Sequence, residues 1–366
     1  MSKKMTFILS ALSIVLLFFA VSCGGQAANV NTDSNSVGGS GENENNKAQS
    51  KNSSNKEVIE WTMYTDASSG DFVFQATQWL VDEIETRTEG QLQITIYPGG
   101  SLPYKQAESL DIVSKGLVDM SHVYGLNVGA TEPRLQVPDI PGVMPIDPEK
   151  RFAIMESLLP SYQEFLSEKY NVNVYSLYIR HPRNIHVNRP VNSLQELSGV
   201  KLRTAGALEA KFSTMLGAVP TTVSLPEVYT ALQQKVLDGI WIPDNSIYDM
   251  KLYEVVGHTI DLNIGGASGI IPINKDSFEQ LPPDVQAVLN DPGLKSEFQQ
   301  KMLELYIETD KKYRQLLIDS GMNIIEWSDS DMQKLDQTIT QLIEEWKQDA
   351  SEGEIEYFNK IEAMNR

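Results

Sequence analysis

Cysteine is nearly absent: Cys23 is the single one among 366 residues. No intrachain disulfide can form, and past position 23 no thiol is available for nucleophilic catalysis or a cysteine-type zinc site. Histidine is also scarce, at four residues (His122, His181, His186 and His258). None falls in an HExxH pattern or a close His/acid cluster, so the sequence calls for no metal and no cofactor. Positive charge is in deficit, with 30 Lys and Arg against 49 Asp and Glu, a net charge of −19. A nucleic-acid partner needs a basic face, so that class is excluded, and a broad basic membrane patch with it. A local pair of arginines binding a small anion is not excluded. The phosphate-cradling and nucleophile-elbow patterns GxxxxGKS/T, GxGxxG and GxSxG are missing too. Carboxylates are plentiful, but none pair at a defined glycosidase geometry. No catalytic residue is assigned, and nothing in the chain asks for an enzyme.

What is present begins with an address. Lys3 and Lys4 precede the apolar run MTFILSALSIVLLFFAVSC. A basic start, an apolar stretch of about 17 residues and small residues at its end are the layout of a secretory signal, expected to span 1–22. An uncleaved anchor is the other reading of that stretch. The stretch AVSCGG resembles a bacterial lipoprotein signal, with Ala20 where Leu is more usual. That resemblance implies that Cys23 becomes a lipidated N-terminus, holding the protein extracytoplasmic on the outer face of the cell membrane. Residues 24–56 are Gly, Ser, Asn, Gln and acids with almost no apolar content. Such a stretch cannot order itself by burial. With the lipidated cysteine it makes 23–56 a tether, with a root-mean-square span of roughly 30–35 Å.

About 310 residues remain, enough for two lobes with separate cores. EVIEWTMYT alternates as a strand, and FVFQATQWLVDEIETRTEG places Phe72, Ala76, Trp79, Leu80 and Ile84 at helical spacing before Gly90. QLQITIYPGG is a second strand. SLPYKQAESLDIVSKGLVDM reads as a helix leading into a third. This βαβαβ alternation predicts an α/β lobe with a largely parallel sheet. VNVYSLYI, RNIHVN, GVKLRT and VPTTV read as strands of a second lobe, with a helix through Leu208, Phe212, Met215 and Leu216. SLPEVYTALQQKVLDG is expected to be a helix opened by a Ser224–Glu227 capping box and ended at Gly239. The phrase SLP before a helix and a turn ending in Asp (Asp119 and Asp238) occurs twice, from Ser101 and Ser224, suggesting lobes of similar topology. From Ile270 a strand and a helix after Pro282-Pro283 follow. About 295–366 is helical and charged, and its apolar stripes suit helices that clasp both lobes. The assignment is 57–180 plus about 269–308 for lobe I, and 181–268 plus part of 309–366 for lobe II and the clasping helices.

Arg203 stands where the strand VKLR gives way to Thr204-Ala205-Gly206 and a helix. Ligands of α/β sheets collect at carboxyl strand ends, where a helix N-terminus offers free N–H groups and a guanidinium adds a bidentate carboxylate clamp. An arginine reaching to solvent or paired with one of the many acids fits the position equally. Arg183 and, more weakly, Arg180 read alone as surface residues. Trp241 either belongs to the core or walls a cleft.

The run from Arg183 to Pro243 resembles the solute-binding proteins of TRAP transporters, the tripartite ATP-independent periplasmic type. The pieces that carry the resemblance are L-x-G-x-K-L-R, L-G-A-x-P and E-V-Y-x-A-L-Q-x-x-x-x-D-G, with EIETRTEGQLQITIYPGGSL and IVSKGLVDM upstream. It covers roughly 58–330. It implies a two-lobe α/β fold of the periplasmic-binding-protein type (type II-like), with a long C-terminal helical region crossing both lobes. It also implies a small carboxylate ligand, no catalysis and delivery to a membrane permease driven by an ion gradient. Arg203 matches the arginine that clamps the carboxylate and Arg183 the one that assists. The chain departs from D-G-x-x-N-P at Ile242, after Trp241, which suggests a monocarboxylate less polar on that side. Tyr64, Tyr124, Asn127 and Leu225 are further pocket candidates by position. A binding lipoprotein of an ATP-driven importer and an extracytoplasmic lipoprotein enzyme are the alternatives.

Overall fold

The computed structural model describes residues 57–365; the signal, Cys23 and the tether lie outside the described residues. Twelve strands are arranged in two six-stranded sheets among the described residues. They are β1 (Ile59–Tyr64), β2 (Leu92–Tyr97), β3 (Met120–Ser121), β4 (Val123–Tyr124), β5 (Val172–Ile179), β6 (Arg183–Val187), β7 (Lys201–Arg203), β8 (Val219–Thr221), β9 (Gly239–Ile242), β10 (His258–Ile264), β11 (Ser268–Asn274) and β12 (Asn323–Ile325). The first sheet runs β2-β1-β3-β11-β4, with β5 on β11; the second runs β12-β10-β6-β9-β7-β8. The chain thus crosses from one sheet to the other between β5 and β6 and returns between β10 and β11. Each sheet supports one lobe.

The first sheet is not largely parallel, contrary to the alternation-based expectation, whereas three of the five strand pairings in the second are parallel. β1 pairs in parallel with β2 and β3, but β11 runs antiparallel to β3, β4 and β5. The returning strand enters the first sheet from the other lobe, and no crossover helix fixes its direction. All seven β11 residues are buried, with helical elements packed against the strand.

Local chemistry sets the helix ends. The Asp71 carboxylate accepts from Val73 N at 2.9 Å and starts the helix Phe72–Arg87. The Ser224–Glu227 capping box does not form. The Ser224 hydroxyl turns to the Glu227 carboxylate instead of a backbone amide. A 3-10 turn, Leu225–Glu227, leads into a short helix, Val228–Gln233, which ends before Lys235 at a φ of 59° rather than at Gly239. The expected helix from Ser101 shortens the same way, to a 3-10 turn at Gln106–Glu108 and a helix at Ser109–Ser114. Both stretches hold a 3-10 turn, a six-residue helix and a turn into a strand, but the SLP phrase runs into the 3-10 turn only from Ser224; from Ser101 it precedes the turn.

Gly239 opens β9, where strand pairing rather than helix capping requires it. A Cβ there would lie 2.4 Å from His186 O and 2.7 Å from Val187 Cγ1. His186 is on the neighbouring strand β6, in register with Ile240. Gly239→Ala is expected to lower unfolding free energy by about 3 kcal/mol, the upper end for an overpacked site. Chemical denaturation checks this, and an unchanged midpoint would show that β6 and β9 separate freely.

Long helices join the lobes. Pro292–Asp319 is capped by Asp291 and buries Leu294, Phe298, Met302, Tyr306, Thr309, Tyr313 and Leu317 at three- and four-residue spacing. Phe298 and Met302 sit in the core of the first sheet, whereas Leu317 packs with Val228, Ile240 and Met322 on the second. Asp329–Asp349 places Leu335, Ile339 and Leu342 in a further core of the second sheet. Glu352–Asn365 returns Tyr357, Phe358 and Ile361 to the first.

Candidate ligand-binding site

Three neighbouring parallel strands of the second sheet, β8, β7 and β9, run in the same direction. Arg203, the last residue of β7, is in register with Thr221 on one side and Ile240 on the other. Beyond it lies a cavity of about 640 Å³, walled by both lobes. From the first lobe come Asp66 and Asp71 after β1, Gln106, and Tyr124 and Asn127 from the β4 region. From the second come Arg183, Arg203, Ala205, Leu225, Trp241 and Ile242. Arg180 and His181, between β5 and β6, lie where the chain crosses.

The cavity thus collects seven of the eight candidate ligand residues. Tyr64 is not among them. Its side chain is 1% exposed in the first core, because β1 turns that position away from the cavity. Trp241 combines both of its readings. It is 3% exposed, donates from Nε1 to Ser213 Oγ at 3.0 Å and packs against Phe212, yet one face borders the cavity. Leu225, Pro226, Ile242 and Pro243 continue that apolar wall. The polar side chain missing at position 242 has counterparts one turn later, where Asn245 and Ser246 reach the cavity from the helix Asp244–Asp249.

The three arginines differ in how they are occupied. Arg183 donates from Nη1 to Glu209 at 2.7 Å. Glu209 also accepts from Ala205 N, so one helix-start amide expected to be open to ligand is already taken. Arg203 Nε donates to Val223 O at 3.2 Å, and among the described residues no carboxylate pairs with it. Burial pulls its pKa below the ordinary value; Glu209 acts against that shift and Arg183 with it. Arginine stays charged regardless. Arg180 Nη2 lies 3.3 Å from Asp71 and 3.9 Å from Asp66, and its guanidinium carbon sits 4.3 Å from the Tyr124 ring centre. Its Nε and Nη2 complete no hydrogen bond although both atoms are buried. Burial opposes its charge, but Asp71, Tyr124 and Asp66 outweigh that and raise its pKa.

From sequence alone Arg180 reads as a surface residue, and Asp66, Asp71 and Asn245 carry no motif that marks them, yet all four line the cavity. One signal was available: Arg180 and Asp66 each follow the carboxyl end of a strand, where ligands of such sheets gather.

A buried network holds the floor. Asp244 accepts from Asn184 Nδ2 at 2.9 Å and pairs with Arg314 Nε at 2.9 Å, and Arg314 Nη2 reaches Asp261 at 2.8 Å. Asn184 Oδ1 accepts from Leu262 N and Asn263 N. His186 bonds Thr259 and the Ile242 carbonyl, fixing the end of β9. In the first lobe, His122 lies 2.6 Å from Thr65 Oγ1 and 3.0 Å from Thr77 Oγ1. Burial, reinforced by Arg180, lowers its pKa to about 3. The unfolded chain takes up that proton near 6.5. Between the two values the unfolded state binds more protons, so this contribution to stability is lost as pH falls below about 6.5. Relative to His122→Asn, the wild type is expected to lose about 2 kcal/mol between pH 7 and 5. Urea titrations of both proteins check it, and a pH-independent difference would mean that His122 protonates without strain in the fold.

Among the described residues no group of three or more His, Cys, Asp or Glu is placed to hold a metal ion, and no helix is long and apolar enough to cross a membrane.

Comparison with known proteins gives this two-lobe receptor architecture a family. The model of the DctP family (bacterial extracellular solute-binding protein, family 7) matches residues 63–349, and the chain belongs to that family. Among curated relatives, the sialic acid-binding periplasmic protein SiaP of Vibrio cholerae is 28% identical over 52% of this chain and 59% of its own length. The C4-dicarboxylate-binding periplasmic protein DctP of Rhodobacter capsulatus is 27% identical over 56% of this chain and 62% of its own. The matches thus span about three fifths of these relatives. Among solved structures, the Bordetella pertussis extracytoplasmic solute receptor DctP7, which binds pyroglutamic acid, superposes with a TM-score of 0.74 at 20% identity, covering 83% of this chain and all of that one. A TRAP periplasmic solute-binding protein of Haemophilus influenzae with bound L-gulonate gives a TM-score of 0.74 at 21% identity, covering 83% and 99%. The family, these relatives and these neighbours are all described as solute-binding proteins or receptors.

Proposed function

We propose that this protein captures a small organic acid between its two lobes outside the cytoplasm and delivers it to a TRAP-type secondary transporter. The observation that carries the reading is Arg203: an arginine without a carboxylate partner among the described residues, at the carboxyl end of a strand, facing a cavity walled by both lobes. Arg203 clamps the ligand carboxylate and Arg183 assists, while Trp241, Ile242 and Leu225 enclose the ligand body and Tyr124 and Asn127 close over it. The lobes are 57–180 with about 269–308, and 181–268 with part of 309–366. The ligand touches both only when they are closed, so it favours closure by its differential affinity. Two relatives named for carboxylate ligands and two neighbours holding acids support the ligand class. The lipoprotein-like stretch around Cys23 supports anchoring of the receptor to the outer face of the cell membrane.

A thermal-shift screen of small carboxylates tests this, with Arg203→Ala alongside. A ligand at about 100 times its dissociation constant adds roughly 2.7 kcal/mol. A hit that disappears in the variant is expected. Stabilisation by neutral solutes alone would overturn the reading.

A further inference from the structure

Two arginines, Arg183 and Arg203, line the large cavity from the second lobe, and the chain itself supplies a carboxylate to one of them. That carboxylate is Glu209, in the first turn of the helix Ala207–Met215. Its Oε1 accepts from Arg183 Nη1 at 2.7 Å, and its Oε2 accepts from Ala205 N, just before that helix. One side chain thus takes a guanidinium donor and a backbone amide, two kinds of group that hold bound anions. The pair is largely withdrawn from water, with Arg183 16% and Glu209 11% exposed. Glu209 also approaches from behind. Arg183 and Ala205 line both the large cavity and a smaller one of about 40 Å³ beside it, whereas Glu209 lines only the smaller. A space of that size holds roughly one water. A ligand in the large cavity therefore has no room to enter it and displace the Glu209 carboxylate. The influence of Glu209 extends to Arg203: Glu209 raises the Arg203 pKa and Arg183 lowers it, so the three charges act on one another.

We propose that Glu209 is a specificity-determining residue, an internal counter-ion that leaves the two-arginine wall with one net positive charge, so that a singly charged head group is accepted there and a doubly charged one is disfavoured. The inference rests on the carboxylate role of Arg203 and adds what sets the head-group charge. With one ligand carboxylate bound, two guanidinium groups face two carboxylates and the cluster is neutral. A phosphonate or phosphate group above its second ionisation brings one negative charge more. That charge stays unpaired in a partly desolvated cavity, which is unfavourable. Glu209 therefore selects by charge without touching the ligand.

The test uses the protein unfolded and refolded to strip any carried ligand. Each small carboxylate that binds in the screen is compared by calorimetry with the phosphonate of the same carbon skeleton, above the second ionisation of the phosphonate. The wild type is expected to bind the carboxylate at least about tenfold tighter. Glu209→Gln keeps the size of the side chain and removes its charge. It is expected to tighten the carboxylate by about threefold to tenfold, and the phosphonate by at least about threefold more, since the interaction scales with ligand charge. Weaker or unchanged carboxylate binding in Glu209→Gln would overturn the inference and leave the carboxylate reading standing, because a side chain that only props Arg183 gives that result. So would a carboxylate-to-phosphonate ratio unaltered in Glu209→Gln, or a wild type that binds both equally. Binding of no carboxylate would overturn both. The wild-type comparison decides even if the variant fails to fold.

Discussion

Arg203→Ala is expected to weaken binding of the carboxylate ligand by roughly tenfold to a thousandfold, about 1.5–4 kcal/mol. The size follows from what surrounds the guanidinium. Its Nε is held by the Val223 carbonyl, which fixes the plane of the fork without neutralising its charge. The strand behind it is paired on both sides, so the clamp is held in place before ligand arrives. Truncation leaves the ligand carboxylate in a partly desolvated cavity with Arg183 as its nearest cation on that lobe, and Arg183 already serves Glu209. Arg203→Lys should recover only part of the loss, because an ammonium lacks the planar fork. Calorimetric titration with the best acid from the screen checks both variants. Unchanged affinity in Arg203→Ala would remove this arginine from the site.

Asp244→Ala is expected to lower the unfolding free energy by about 3 kcal/mol and to weaken binding as well. Asp244 is buried and joins Asn184 and His186 of β6 to Arg314 of the helix Pro292–Asp319. Its removal leaves the Arg314 guanidinium with Asp261 alone and the Asn184 amide without its acceptor. Arg314 is about one quarter exposed, so water recovers part of its solvation and keeps the loss moderate. The second effect follows from position. Asp244 opens the short helix that carries Asn245 and Ser246 to the cavity, and His186 and Asn184 hold β6 and β10 behind it. Denaturation together with ligand titration separates the two. A stability loss with unaltered affinity would show that the network braces the lobe and not the site.

The strand that carries Arg203 was legible because strand end, small residues and helix start are adjacent in sequence. So were β5, β6 and the helix Phe72–Arg87, whose apolar spacing is local. The direction of β11 was not, since it depends on a strand arriving from the other lobe. The strand β10 has no boundary signal as clear as its partners and went unread. The capping box failed for a chemical reason: Ser224 and Glu227 are a hydrogen-bonding pair in their own right, and the sequence pattern does not say which partner each chooses. Arg180 was undervalued because its character is made by Asp66 and Asp71, more than a hundred residues away.

The helix Pro292–Asp319 sets a mechanical condition on the receptor. It is 28 residues long, roughly 42 Å of continuous hydrogen-bonded rod. Phe298 is bedded in one lobe and Leu317 in the other. Such a rod neither stretches nor shortens, so the lobes cannot simply part along it. Opening has to be taken up as bending of the rod, or as rolling of one lobe around its seat. The helix therefore acts as a spring whose stiffness enters every binding equilibrium. A substitution along it, far from any ligand atom, can alter affinity by changing the energy of the open state.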